Sequence, residues 1–159
     1  MSVYEHESHV HAPFEEVWRF YSTLDGLEAL TPGFMNLRVE AARGPDGEPD
    51  PEILAEGAEA DLSVRPFGVG PRQGWTTRIV ARRREEGAGL FRDEMRDGPF
   101  PRWVHTHSFY ADGERTLVRD HVEYELPFGE LGRLAGPFGF VGFEPMFRYR
   151  HRETRRRLE

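Results

Sequence analysis

The chain has 159 residues, 38% of them hydrophobic and 31% charged, with no cysteine and a net charge of −7; this describes a globular chain long enough to bury a core without disulfides. All 21 basic residues are arginine, which excludes Schiff-base lysine and P-loop chemistry, and the missing cysteines exclude thiolate catalysis and Cys-ligated metal centres. The acidic balance argues against nucleic acid as a partner, no apolar run reaches the ~18 residues of a membrane span, and the N-terminus lacks a secretory pattern, so one cytoplasmic domain over residues 1–159 is expected.

Residues 3–12 alternate, with Tyr4, His6, Ser8 and Val10 on one face of a strand and Glu5, Glu7 and His9 on the other. Pro13 opens a helix whose Glu15 and Glu16 suit the positive end of the dipole and whose Phe14, Val17, Trp18 and Tyr21 form a packing stripe. A second short helix over about residues 25–30 ends at Thr31-Pro32-Gly33. Period two returns from Phe34, breaks at the polar loop of residues 44–51, and resumes with Ala58, Ala60, Leu62 and Val64 facing inward. After a Gly/Pro loop at residues 67–74, Trp75, Thr77, Ile79 and Ala81 share a face opposite Thr76, Arg78, Val80 and Arg82.

The Glu86-Gly87 turn leads to FRDEMRDGPFPRWVHTHSF, residues 91–109, read as a β-hairpin around Asp97-Gly98-Pro99-Phe100-Pro101. Phe91, Asp93 and Met95 face one way on its first arm and Trp103, His105, His107 and Phe109 on its second. An aspartate and two histidines therefore point inward among aromatics. Asp112-Gly113 predicts a two-residue hairpin loop that pairs Ala111 with Glu114, placing His107 opposite Val118, His105 opposite Asp120 and Trp103 opposite Val122. Val118, Asp120, Val122, Tyr124 and Leu126 form the inner set of that last strand. Residues 127–142 are rich in Gly, Pro and Phe, and a final helix runs from about residue 143 to 158 with Met146, Phe147, Tyr149 and Arg150 toward its inner side. Six arginines against two glutamates in residues 148–159 are read as solvated charges complementing the helix dipole.

The predicted class is α+β: a first strand, two short helices, a curved antiparallel sheet of about six to seven strands in all, and a long C-terminal helix across its concave face. APFEEVWRFYSTLDGLEALTP after the first strand, the hairpin above, and RDHVEYELPFGELGRL before the last helix resemble the SRPBCC or START-like superfamily, in its small prokaryotic polyketide-cyclase-like or ligand-binding members. The resemblance implies a helix-grip fold with an apolar cavity between sheet and helix. It does not imply one activity, and function must be argued from the site.

Asp93, His105 and Asp120 are the candidate catalytic residues, either as a general acid/base hub or as the anchor of a ligand's polar end; a hydrogen-bonded network that only holds register is the competing reading. Trp75, Thr77, Phe91, Trp103, His107, Phe109 and Tyr124 complete the candidate ligand-binding set, as walls of a cavity or as its filling. His105 and His107 one residue apart offer metal ligands with Asp93 or Asp120, but without a helical His pair or a cysteine no metal and no cofactor is assigned. The Gly/Pro runs of residues 66–71 and 137–142 do not follow the strand–loop–helix order of a phosphate site and are read as rims of the cavity mouth. Two functions follow: binding or transport of a small apolar molecule (aromatic, isoprenoid or lipid-like), or a cyclase/dehydratase-like reaction on a His/Asp pair. A homodimer is compatible with either.

Overall fold

A computed structural model describes residues 1–127 and 143–159. The alternating segments become seven strands, β1 (Ser2–Val10), β2 (Arg38–Arg43), β3 (Glu59–Val64), β4 (Gln73–Glu85), β5 (Ala88–Arg96), β6 (Arg102–Asp112) and β7 (Arg115–Glu125). They form one antiparallel sheet in the order β1-β7-β6-β5-β4-β3-β2. Helices α1 (Phe14–Tyr21) and α2 (Leu24–Ala29) connect β1 to β2, and α3 (Phe143–Leu158) ends the chain. This is the helix-grip arrangement, with a curved sheet, two short helices after the first strand, and a C-terminal helix. No described helix is long and apolar enough to cross a membrane.

Helix α1 follows Pro13 in extended conformation, carries Glu15 and Glu16 in its first turn, and buries Phe14, Val17, Trp18 and Tyr21. Those side chains join Val10, Phe91, Phe109 and Val118 in the main core. The Trp18 ring lies edge-on to Phe109 at 5.7 Å and sits so close over β5 that a Cβ at Gly89 would fall 2.7 Å from its Cζ3. Gly89→Ala is therefore expected to cost about 1–3 kcal/mol by overpacking, read as a lower urea midpoint; an unchanged midpoint would mean that Trp18 is free to shift.

Two irregularities in the half of the sheet from β4 to β7 separate the observed pairing from the alternation. The β6–β7 loop is Gly113-Glu114 rather than Asp112-Gly113, because Asp112 pairs with Arg115 and, of the two residues Asp112 and Gly113, only the glycine adopts positive φ, at 62°. A glycine at the first central position makes the primed turn that suits strand twist. The register accordingly slips by two, so that His107 faces Asp120, His105 faces Val122 and Trp103 faces Tyr124. An even slip preserves the faces. The second irregularity is a bulge in β4, where the pairing passes from Ile79 with Asp93 to Ala81 with Arg92. The extra residue turns Arg82 away from the outer face expected of it and lays its guanidinium 4.9 Å from the centre of the Trp18 ring.

Candidate functional site

Two rows cross the concave face of the sheet. One runs His6, Asp120, His107, Phe91 over β1, β7, β6 and β5; the other, one step along, runs Tyr4, Val122, His105, Asp93. The acids and imidazoles bond across these rows on diagonals, a separation that long side chains span. His105 Nε2 lies 2.7 Å from Asp120 Oδ1, and His107 Nε2 lies 2.8 Å from Asp93 Oδ2. Helix α3 brings a third imidazole, His151, whose Nε2 is 2.6 Å from Asp120 Oδ2 and whose Nδ1 is 2.5 Å from Ser8 Oγ. His6 stands edge-on to His151 with ring centres 4.5 Å apart. The hub is therefore Asp120, fully buried, and not His105.

Burial and charge set the protonation states. Burial raises a carboxyl's pKa, yet the imidazoles of His105, His107 and His151 gathered around it outweigh that effect and hold Asp120 well below the usual carboxylate range. Burial likewise acts against ionised Asp93, but its bond to His107 leaves the group below its ordinary value. The two β6 imidazoles, with ring centres 3.7 Å apart, cannot both charge cheaply. Burial, and next the neighbouring His107, push His105 down to about 4. His107 moves the other way: burial lowers its pKa, but Asp120 and Asp93 together raise it above the ordinary histidine value. His107 Nδ1 is 3.2 Å from Asp120 Oδ1 but outside hydrogen-bond geometry, leaving that buried nitrogen unsatisfied.

A cavity of about 160 Å³ opens beside this network, between the sheet, the α2 region and α3. Of the sequence candidates, Trp75, Thr77, Phe91, Asp93, Trp103, His105 and His107 line it. Phe109 is buried in the main core, Tyr124 packs with Phe143 and Phe147 in a second cluster, and Asp120 sits behind the two histidines, so none of the three is part of the wall. Most of the wall is apolar, from side chains such as Leu30, Leu37, Leu62, Ile79 and Met95.

Residues 10–147 match the family described as polyketide cyclase / dehydrase and lipid transport. The chain belongs to that family. No match is found among curated proteins. Among solved structures the chain is similar to TTHA0849 from Thermus thermophilus, at 21% identity and a TM-score of 0.62 over 99% of this chain and 97% of that one. It is also similar to norcoclaurine synthase from Thalictrum flavum, solved in complex with dopamine and hydroxybenzaldehyde, at 18% identity and a TM-score of 0.65 over 98% and 84% of the two chains. A START superfamily protein from Mycobacterium smegmatis matches at 15% identity and a TM-score of 0.63 over 98% and 96%. At such identities these likenesses establish the fold.

Within this polyketide cyclase / dehydrase and lipid transport fold, α3 adds Phe143, His151 and Thr154, which the local pattern did not single out, to the Phe147 and Arg150 expected on its inner side. Phe143, Phe147, His151 and Thr154 are buried on its inner face, a spacing of four, four and three that marks a helical stripe. Arg150 is also buried and lines the cavity with Met146, on the inner side expected of both, whereas the other arginines of the tail are exposed as solvated charges. Of the expected rims, residues 66–68 form a 3-10 turn whose Phe67 is exposed and stacks on Phe34 at 4.9 Å; residues 137–142 lie outside the described residues. Asp93, His105 and His107 each bring a donor atom within 4.8 Å of the others, a metal-like cluster. Their hydrogen bonds already engage His107 Nε2 and His105 Nε2 with carboxylates, and a cation would have to compete with those bonds.

Proposed function

We propose that this chain binds a small apolar ligand, aromatic or of isoprenoid or lipid-like character, in the cavity between its sheet and α3. The observation that carries this reading is a cavity of about 160 Å³ with a mostly apolar wall and a few polar groups, Asp93, His105, His107 and Arg150 among them, the composition expected of a recognition pocket. An apolar cavity of about 150 Å³ is enough to admit benzene. The family description, which names both cyclase/dehydrase chemistry and lipid transport, is consistent with a site of this kind.

Trp75 and Trp103 line the cavity, whereas Trp18 is buried in the main core, and this gives the test. Titration with toluene is expected to change the tryptophan emission of the wild type and of Trp18→Phe, but not of the Trp75→Phe/Trp103→Phe double variant. Absence of any emission change, together with no heat of binding by calorimetry, would overturn the proposal.

One observation favours a second reading, a cyclase or dehydratase. His105 is a cavity-wall imidazole kept neutral, with a pKa pushed down to about 4 by burial and the His107 charge, and oriented by Asp120 at 2.7 Å; a neutral oriented imidazole is a general base. His105→Gln separates the two. A binder would lose affinity modestly, whereas an enzyme acting on a poly-ketone would lose about two to four orders of magnitude in turnover.

A further inference from the structure

Arg150 is 9% exposed, lines the cavity, and holds a buried Nε without a hydrogen-bond partner. Other arginines of α3 find carboxylates, Arg148 reaching Glu144 at 2.7 Å and Arg156 reaching Glu153 at 2.8 Å. Among the described residues no carboxylate pairs with Arg150. The guanidinium carbon lies over the Phe147 ring, 5.9 Å from its centre. The cavity carboxylates are already taken, because Asp93 is bonded to His107 and Asp120 to His105 and His151. A buried guanidinium with idle donors is costly, since it always keeps its charge. A planar oxyanion would satisfy it on two parallel N–H bonds.

We propose that the ligand is a small monocarboxylate carrying about one ring or an aliphatic body of similar bulk, its carboxylate held by Arg150 and its apolar part against Trp75, Trp103 and Leu62. This rests on the cavity-binding reading above and adds to it the charge and size of the ligand. The volume of about 160 Å³ sets the size, and the one cavity-lining cation outside any ion pair among the described residues sets the sign. Asp93 also faces the cavity, but its bond to His107 leaves Arg150 as the group that an incoming anion meets unpaired.

The test is calorimetry near neutral pH with three probes: benzoate, its neutral isostere benzamide, and toluene. Benzoate is expected to bind the wild type about 10- to 100-fold more tightly than benzamide, the range of a charge-assisted hydrogen-bonded pair. Arg150→Met should bring the two to within about threefold of each other while toluene binding persists, and Arg150→Lys should restore part of the preference. Benzamide binding as tightly as benzoate to the wild type would overturn the charge assignment and leave the apolar reading standing. Failure of all three probes to bind the wild type would overturn both. The wild-type comparison decides without any variant, and far-ultraviolet circular dichroism shows whether Arg150→Met is folded before it is used.

Discussion

Replacing Asp120 by alanine is expected to lower folding stability by about 3–5 kcal/mol, the range for breaking a buried ionic cluster by removing one member. Asp120 is fully buried, accepts from His105 at 2.7 Å and from His151 at 2.6 Å, and has His107 Nδ1 at 3.2 Å. Its loss leaves imidazole N–H groups of two elements, β6 and α3, facing each other without an acceptor. It also removes the counter-charge that allows His107 to hold a proton. For a domain of this size the loss corresponds to a fall of roughly 6–20 °C in Tm. Asp120→Asn, which keeps the volume and one acceptor, should cost less. Urea denaturation near pH 6.5 measures both. A loss below about 1 kcal/mol for the alanine variant would show that α3 is held to the sheet by its Phe143 and Phe147 packing and not by this carboxylate.

Stability should peak near pH 6.5 and fall on both sides. His105 has its folded pKa pushed down to about 4 from 6.5, so the fold favours the neutral ring. That contribution is complete above the unfolded value and disappears as pH falls from 6.5 toward 4, a difference on the order of 3 kcal/mol. His6, lowered first by burial and then by His151, acts in the same direction. Asp93 and Asp120, both held below their ordinary value, add stability above the unfolded carboxylate pKa that is lost only in stronger acid, as pH falls through their folded values. His107 has the opposite sign: its raised pKa contributes fully below 6.5 and is lost as pH rises through the folded value. Urea midpoints at pH 4.5, 6.5 and 8.5 check this, and His105→Phe should flatten the acid limb while leaving the alkaline one. A midpoint that stays level or rises from pH 6.5 to 4.5 would overturn the assignment of His105 as the neutral partner.

The sheet and helices were legible because alternation and helical stripes record burial directly. Phe91, Asp93, His105 and His107 share a face for the same reason that Phe14, Val17, Trp18 and Tyr21 share a helix side: one side of each element meets other chain and the other meets water. The hub was less legible. An Asp-Gly pair has two ways to close a hairpin, and which of its residues takes positive φ decides whether His105 or His107 stands opposite Asp120. The bulge in β4 that reverses Arg82 leaves no mark in the local pattern of an arginine-rich strand.

Residue order alone therefore determined the class of fold, the inward faces of the strands and the presence of an acid–histidine cluster, because each follows from a local period of two or 3.6 residues. Only the tertiary structure decided that Asp120 is the centre, that His151 completes it, and that Arg150 is left in the cavity outside any ion pair among the described residues. The last two are relations between α3 and the rest of the chain, His151 lying 31 residues beyond Asp120. They depend on how the helix is rotated against the sheet, a quantity set by packing of Phe143 and Phe147 against Tyr4 and Val122 and not by any local repeat.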